Sequence, residues 1–447
     1  MSTTSKTSRR QFLGQGAAVA ATGLALPYLV PRNVLGGEGK PTPNEQIGVG
    51  RIGFGRRAHQ HPVTVDGLAR VVAIADVNRE RCGKDGYQDY RKLLDRKDVD
   101  VVDITTPEFW HYLPAIHACQ AGKDVYGEQP LAGTIREGRK IVEAARKYNR
   151  VYQVGEQQRS HPMDRKACEL ILNGRIGKVH TVLGANYPSP FYCDFPGQPV
   201  PPGLDWDVWC GPTDPIPYHR DIYIPRANPG WMSFYPYSGG ELVNWGCHGL
   251  SMVMWGLGVS ETGPVEVWVE PEGRKLDPPT YKGPESRDRG DKACSQTTIH
   301  YRFANGVVLK LDGGPPSGGT FIGEKGKISV IRGGYECDPK GLDEPPLPLK
   351  DSVIRLPASD YQESDNDDGT KAHFRNFYDC VKTRQKPIMD VEFGHRVATL
   401  CHLGNIARWL GRKLQWDPEK EIFPGDEEAN KYLDRPKRKP YELPTQV

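Results

Sequence analysis

The chain has 447 residues, with 59 Lys plus Arg against 56 Asp plus Glu, giving a formal net charge of +3. This length allows two or three domains and a large buried core. The near balance of charge leaves no basic footprint for nucleic acid, and no internal repeat of solenoid or propeller type is present. The ten cysteines include no C-x-x-C pair, which argues against a zinc knuckle or a disulfide framework.

Residues 1–40 differ in character from the rest of the chain. Residues 8–13 read SRRQFL, and an apolar run rich in alanine and glycine follows over residues 14–30. An arginine pair ahead of such a run resembles a twin-arginine export signal. The run is short and weakly apolar for a membrane span, so we expect no stable membrane anchor. We therefore expect export to the periplasm by the twin-arginine route, with tethering left open if the signal is not cleaved.

A glycine-rich turn follows the first predicted strand. A dinucleotide fingerprint fits residues 48–53 in one register and Gly53-x-Gly55-x-x-Ala58 in another, and the second leaves residues 46–52 as the strand. In that register a helix begins at about Arg56. Gly53 makes the tight turn and Gly55 admits a pyrophosphate. Ala58 lets the helix pack on the strand, and the helix N-terminus faces the phosphates.

An acidic residue ends the next predicted strand. Asp76 closes the apolar run 71–76 and lies 23 residues after Gly53. That spacing is close to the one expected for a carboxylate that accepts hydrogen bonds from an adenosine ribose. Because a carboxylate there repels a 2′-phosphate, the pattern favours NAD over NADP. The alternative is that Asp76 only ends a strand.

Predicted helices and strands then alternate along the chain. This rhythm is typical of a parallel, doubly wound sheet. The predicted elements are a helix over 90–95, a strand over 99–106, a helix over 113–121, a strand over 124–127, a helix over 135–148 and a strand over 151–155.

The second part of the chain predicts an antiparallel sheet followed by helices. Asn305-Gly306 is a hairpin signal between two alternating runs. The predicted strands cover 265–270, 297–303, 307–311, 321–322 and 328–331, and the predicted helices cover 373–383 and 391–410, with the ordered part ending near residues 416–418. We predict no metal site, because the acidic loop 364–369 lacks the EF-hand ligands and His59-x-His61 has no partner ligands nearby.

Several motifs together resemble the Gfo/Idh/MocA family, which includes glucose–fructose oxidoreductase and inositol dehydrogenase. They are residues 105–111 (TTPEFWH), 122–130 (GKDVYGEQP), 155–160 (GEQQRS), 204–212 (LDWDVWCGP) and 239–248 (GGELVNWGCH). The resemblance implies an α/β protein in which a Rossmann domain with a doubly wound parallel sheet precedes an α/β domain with an open, largely antiparallel sheet. The implied boundaries are the signal and linker at 1–40, the NAD-binding domain at 45–160, the substrate and oligomerisation domain at 161–370, and helices packing back on the Rossmann domain, plus a tail, at 371–447.

The same resemblance implies a homo-oligomer, formed through the second sheet, that binds NAD and a small carbohydrate or polyol. The residues implied for the cofactor are Gly53, Gly55, Arg56, Ala58, Asp76, Thr106, Pro107, His111, Glu128 and Gln129. Those implied for the substrate are Gln129, Arg159, Asn244, Trp245 and His248.

The catalytic positions depart from the family pattern. Relatives use a lysine in Glu-Lys-Pro, with an aspartate and a histidine four residues apart on one helix face. The matching residues here are Gln129, Asn244 and His248. Neither amide exchanges a proton at neutral pH, although both can hold a sugar hydroxyl. Only His248 belongs to a residue type that titrates near neutrality.

Three functions fit these residues. The first is an NAD-dependent dehydrogenase with His248 as general base and the two amides positioning the substrate. The second is an NAD-dependent glycoside-cleaving enzyme that oxidises the sugar transiently, with an acid or base drawn from Tyr187, Tyr192, Tyr235 or Tyr237. The third is a non-catalytic protein that binds NAD and a sugar.

Overall fold

The computed structural model describes residues 42, 45–224, 230–278, 280–282, 297–348 and 369–447. The expected export signal (residues 1–40) and most of the acidic loop (residues 364–368) lie outside these residues. Among the helices that are described, none has the length and apolar character needed to cross a bilayer.

The first sheet is five-stranded and parallel, as the alternating pattern predicted. Its strands are β1 (Ile47–Ile52), β2 (Ala69–Ala75), β3 (Val101–Ile104), β4 (Asp124–Gly127) and β5 (Tyr152–Val154), in the order β2-β1-β3-β4-β5. Three helices follow strands of this sheet, namely α1 (Tyr90–Leu94), α2 (Tyr112–Gln120) and α3 (Ile135–Lys147). The strand order reverses direction between β1 and β3. Ligands of open parallel sheets bind outside the carboxyl ends of the strands at such a reversal.

The connection from β1 to β2 corrects the predicted fingerprint helix. Residues 53–68 contain no α-helix, and the chain there forms two three-residue 3-10 turns, at Ala58–Gln60 and Val65–Gly67. Pro62 lies between these turns, and a proline at that position cannot donate the hydrogen bond that would continue a helix back to Ala58. The fingerprint therefore has its turn but no helix N-terminus behind it.

The second sheet has eight strands and is largely antiparallel, as expected. Its order is β14-β13-β12-β6-β11-β10-β8-β15, and β11 with β6 is its one parallel pair among the described strands. The strands are β6 (Val179–Gly184), β8 (Pro264–Glu270), β10 (Thr298–Phe303), β11 (Val308–Leu311), β12 (Gly319–Gly323), β13 (Gly326–Ile331), β14 (Gly334–Asp338) and β15 (Leu414–Gln415), while β7 (Tyr192–Cys193) and β9 (Thr280–Tyr281) form a separate pair.

Five helices lie between β5 and β8 along the chain. They are α4 (Pro162–Leu172), α5 (Trp206–Cys210), α6 (Arg220–Tyr223), α7 (Glu241–Asn244) and α8 (Gly246–Gly256). Of these, α4 packs on β13 and β14, and α8 packs on β6 and β12. The side chains of α8 are buried throughout its length.

The last helices pack back toward the first sheet. They are α9 (Thr370–Thr383), α10 (Val391–Leu410) and α11 (Glu427–Asn430), and α10 contacts α3, α8 and β8. The predicted end of order near 416–418 is wrong, because residues 419–447 are described and Phe423 and Leu433 are buried. Residues 419–447 are ordered by packing against distant parts of the chain, which no local sequence pattern predicts. The domain boundaries given above stay a prediction.

Candidate functional site

A cavity of about 720 Å³ opens at the carboxyl ends of β1, β2 and β3. Six of the residues predicted for the cofactor line it, namely Gly53, Gly55, Arg56, Asp76, Thr106 and Pro107. Its position matches the reversal in strand order, where an open parallel sheet binds its ligand. The structure therefore brings the glycine turn and the acid at the end of β2 to one cavity.

The glycine turn is shaped for close approach of a ligand. Gly53 has a φ of +82°, and a Cβ at Gly53 would lie 2.8 Å from the backbone nitrogen of Thr106. Both the positive φ and the contact require glycine. Thr106 adds a hydroxyl oxygen that is buried and has no hydrogen-bond partner among the described residues. These features fit a dinucleotide whose pyrophosphate passes over the turn.

Asp76 organises the same turn with its carboxylate. Its Oδ2 accepts a hydrogen bond of 2.7 Å from the backbone N–H of Phe54, and its Oδ1 accepts one of 2.8 Å from that of Asn78. Each carboxylate oxygen has two lone pairs, so acceptor capacity remains for ribose hydroxyls. The ribose role stays a prediction, and Asp76 also has a structural task that the sequence did not reveal.

His111 contacts two loops through its ring nitrogens and does not line the cavity. Its Nε2 lies 2.9 Å from the carbonyl oxygen of Thr106, and its Nδ1 lies 2.8 Å from that of Pro130. The ring therefore ties the loop after β3 to the loop after β4. Burial lowers its pKa. Ala58 is likewise buried away from the cavity, and its carbonyl accepts a hydrogen bond from Arg51.

A buried ionic cluster stands behind the predicted catalytic loop. The Nε2 of His61 lies 2.6 Å from Glu128 Oε1, and its Nδ1 lies 2.8 Å from Asp103 Oδ1. Arg57 Nε donates to Glu128 at 2.9 Å, and Arg51 Nε donates to Asp103 at 3.0 Å. Glu128, predicted to contact the cofactor, is thus committed to His61 and Arg57, and it does not line the cavity.

The charges in this cluster stabilise one another. Burial alone would lower the pKa of His61, but the two neighbouring carboxylates outweigh it and raise the pKa. Burial would raise the pKa of Glu128, and Arg57 together with His61 reverses this to a net lowering. An imidazolium between two carboxylates is the state these contacts favour. The two carboxylates that contact His61 are 42 and 67 residues away in the sequence. No local pattern around His59-x-His61 could therefore indicate them.

Asn244 is held by a buried glutamate that the sequence analysis missed. Its Nδ2 donates to Glu108 Oε2 at 3.0 Å, to Ser238 Oγ at 2.9 Å and to the Gly240 carbonyl at 3.1 Å. Glu108 also accepts from the backbone N–H of Gly239, and burial raises its pKa to about 7. The amide at position 244 donates where an aspartate would place a second carboxylate against Glu108.

The loop that carries Glu108 also reaches the cofactor cavity. Thr106 and Pro107 line the cavity, and Glu108 directly after them binds Asn244 at the end of α7. One loop therefore connects the dinucleotide cavity with the predicted substrate helices. Asn244 ends α7 and His248 lies in the first turns of α8, so the two share a helical region but not one continuous helix.

The remaining predicted substrate residues differ in their surroundings. The Gln129 Oε1 atom is buried without a hydrogen-bond partner among the described residues. His248 is buried, with its ring 5.9 Å from that of the half-buried Trp245. The Arg159 guanidinium is fully buried, donates to Ser251 and Ser260, and lies against two aromatic rings. These contacts favour a structural role for Arg159, and its substrate role stays a prediction.

Comparison with known families agrees with this architecture. Residues 46–156 match the model of the oxidoreductase family NAD-binding Rossmann fold, and residues 192–443 match that of the oxidoreductase family C-terminal alpha/beta domain. The chain belongs to the Gfo/Idh/MocA family of oxidoreductases, and its first sheet is the family's NAD-binding Rossmann fold.

Individual relatives match over part of their length. The chain is similar to a levoglucosan dehydrogenase of Pseudarthrobacter phenanthrenivorans, with 29% identity over 36% of this chain and 45% of that protein. It is also similar to glycosyl hydrolase family 109 protein 2 of Shewanella sp. (strain ANA-3), with 36% identity over 23% of this chain and 26% of that protein. The chain thus spans about half or less of the length of the curated relatives it matches.

A solved structure of levoglucosan dehydrogenase with NADH and levoglucosan shares the fold. The likeness has a TM-score of 0.54 and 19% identity, and it covers 83% of this chain and 99% of that one.

Proposed function

We propose that the protein is an NAD-dependent oxidoreductase acting on a CH–OH group of a sugar, polyol or sugar derivative. The observation that carries the proposal is the loop after β3. It lines the dinucleotide cavity through Thr106 and Pro107, and it holds the predicted substrate helix through Glu108 and Asn244. NAD, when bound, supplies the hydride acceptor.

The chain's own residues divide the remaining work. His248 takes the hydroxyl proton, because imidazole is the only group among the three catalytic positions suited to exchange a proton near neutrality. Gln129 accepts a hydrogen bond from a substrate hydroxyl at its buried Oε1, which has no other partner among the described residues. Asn244 uses its amide hydrogens on Glu108, Ser238 and Gly240, so it positions α7 and is not the substrate's donor.

The decisive experiment purifies the chain, releases any bound nucleotide, identifies it, and follows NADH formation over a panel of sugars and polyols. We expect NAD and a substrate-dependent rise in NADH. His248→Gln should lower kcat at least about 100-fold, the usual size of a general-base contribution. NAD binding without turnover of any substrate would support the non-catalytic alternative instead.

A substitution at Gln129 tests whether the departure from the family pattern has removed the dehydrogenase activity. If Gln129→Lys creates NADH formation where the natural chain shows none, the natural site is degenerate and the dehydrogenase proposal is wrong. The matched control is Gln129→Met, which preserves the approximate length of the side chain without adding a charge.

A second candidate is glycoside cleavage through transient oxidation. The similarity to glycosyl hydrolase family 109 proteins favours it, although that match covers only 23% of this chain. Cleavage of an aryl glycoside that needs bound NAD but produces no net NADH would establish this function in place of the first.

Export and assembly are further parts of the proposal. Residues 8–13 support the twin-arginine route, and replacing Arg9 and Arg10 by lysine should keep the protein in the cytoplasm of a host with that pathway. The family resemblance, which implies an interface formed through the second sheet, supports a homo-oligomer, and light scattering of the purified chain would test it.

A further inference from the structure

The dinucleotide cavity has a wall from a distant part of the chain. Pro440, Tyr441, Glu442 and Pro444 line the same cavity as Gly53 and Asp76. They belong to residues 437–444, named here the closing segment. Neither the glycine fingerprint nor the order of the strands predicts that this segment lies at the cavity. The segment lies more than 350 residues after the glycine turn.

The closing segment is anchored at its start to α5. Arg438 donates from Nε to the Gly211 carbonyl at 2.6 Å and from NH1 to Asp207 Oδ1 at 2.9 Å. Its backbone N–H donates to the Pro212 carbonyl at 3.0 Å. Just before it, the Nζ of Lys437 forms a buried ion pair of 3.1 Å with Glu137 of α3. The segment is thus bound to α5, whose Val208 and Trp209 line the cavity, and to α3.

The middle of the segment is fixed to α2 and the loop before it. Tyr112 donates from its hydroxyl to the Tyr441 carbonyl. The Tyr441 ring meets the Trp110 ring edge-on with centroids 5.2 Å apart, and Trp110 is itself held by a hydrogen bond of 2.9 Å to the Trp209 carbonyl. The Tyr441 ring is thus held by its own backbone carbonyl and by the buried Trp110, in addition to the more exposed Arg438–Asp207 pair earlier in the segment.

Tyr441 completes an aromatic corner of the cavity. Tyr90, Trp110 and His117 line it as well, and the Tyr90 hydroxyl lies 2.8 Å from His117 Nδ1. Tyr90 lies in α1, which follows β2 and Asp76, the strand end that faces the adenosine ribose in this fold. The predicted catalytic residue Gln129 follows β4 instead. The corner therefore belongs to the adenosine end of the cavity.

We propose that the closing segment is a wall of the cofactor site and slows the departure of NAD by covering its adenosine end, with Tyr441 as the main contact. This inference rests on the proposed binding of NAD and adds residues of the chain that the glycine fingerprint does not supply. Aromatic contacts of this kind stabilise a bound planar base. Because the closing segment is bound to α5, α3 and α2, these contacts must loosen before the nucleotide leaves. The cofactor then remains with the protein through successive reactions.

The test measures NAD dissociation directly, by stopped-flow displacement and by calorimetric Kd, in the full chain and in four altered chains. A chain ending at Lys439 loses the lining residues, and a chain ending at Pro444 keeps them and serves as its control. Tyr441→Ala removes only the ring. Tyr432→Ala, an exposed tyrosine that does not line the cavity, is its matched control. Melting of the nucleotide-free proteins checks that each variant folds.

We expect Tyr441→Ala and the chain ending at Lys439 to release NAD about tenfold faster or more, with both controls close to the full chain. If the folded Tyr441→Ala variant and the folded shortened chain release NAD at the same rate as the full chain, the proposed role of the closing segment is wrong. If the chain ending at Lys439 fails to fold, Tyr441→Ala decides alone. A full-length chain that binds no NAD would instead refute the proposed function and the wall together.

Discussion

Two buried histidine clusters in this molecule use the same residue types for different purposes. The site cluster contains His61, Asp103, Glu128 and Arg57 and lies behind the loop of Gln129. The helix cluster contains His395, Glu421, Arg139 and Glu392 and joins α3 to α10 and to the turn that follows β15.

The two clusters differ in what balances their carboxylates. In the site cluster both ring nitrogens of His61 meet carboxylates, and these raise its pKa despite burial. In the helix cluster Glu421 is the one carboxylate among the described residues that pairs with His395, and burial lowers the pKa of His395. Arg139 carries the positive charge there, with paired hydrogen bonds to Glu392 and Glu421. His61 thus lies between two carboxylates that each bind one arginine, and its pKa is raised, whereas His395 pairs with a carboxylate that two arginines already bind, and its pKa is lowered.

The largest expected effect is at His61. His61→Leu removes the ring shared by Asp103 and Glu128, so that each carboxylate keeps a single arginine. Removing one member of a buried ionic cluster typically costs about 3–5 kcal/mol of unfolding free energy. His395→Leu should cost less, about 1–3 kcal/mol, because Glu421 keeps Arg139 and Arg396. Urea unfolding of both variants measures the difference. Equal losses would show that the two histidines carry the same charge, contrary to the comparison.

A smaller effect should separate structure from ligand binding. Arg139→Met removes a guanidinium, on a side chain that is 25% exposed, from Glu392 and Glu421. It should cost about 2 kcal/mol of unfolding free energy after allowance for solvent. NAD affinity should not change, because the helix cluster does not touch the cavity. Arg57→Met is the partner experiment, since Arg57 lines the cavity and binds Glu128. We expect Arg57→Met to weaken NAD binding, and calorimetry on both variants measures this. Weaker NAD binding by Arg139→Met with unchanged binding by Arg57→Met would contradict the prediction.

The smallest effect is a pair of opposite pH dependences. The folded pKa of His61 is raised, so its stabilisation is complete below its unfolded pKa of about 6.5 and is lost as pH rises through the folded pKa. The folded pKa of His395 is lowered, so its stabilisation is present above about 6.5 and is lost as pH falls through the folded pKa.

The measurement compares His61→Gln and His395→Gln with the natural chain from pH 5 to 8. The stability gap between the natural chain and His61→Gln should narrow as pH rises, and the gap for His395→Gln should narrow as pH falls. Two gaps that change in the same direction would contradict the assigned charge states.

Sequence periodicity predicted all five strands of the first sheet, but only five of the eight described strands of the second sheet and five of the eleven described α-helices. The predicted strand 124–127 and helix 391–410 coincide with the observed elements, because buried parallel strands and long helices carry strong local patterns. The fingerprint helix was wrong because Pro62 lies six residues after its predicted start at about Arg56, in a connection of only 16 residues between β1 and β2 (53–68). The segment after residue 418 was missed because its order depends on distant packing.

Some features of the site could likewise be predicted from the sequence, and others could not. The positions of Gly53, Gly55 and Asp76 on one cavity followed from spacing along one chain segment. The pairing of Glu108 with Asn244, separated by 136 residues, did not. Only the three-dimensional structure brings such polar partners together, although an acid directly after Thr106-Pro107 in a buried stretch was a signal worth testing.

The missing helix after the glycine turn has a consequence for the conditions under which the cofactor binds. A dinucleotide's pyrophosphate usually rests on the partial positive charge of a helix N-terminus. Here the cavity instead presents arginine side chains, including the exposed Arg56 and Arg81 near Gly55. Mobile ions screen charges on exposed side chains effectively at physiological ionic strength. We therefore expect NAD affinity to fall as salt is added, making the ionic composition of the compartment part of the protein's control over its cofactor.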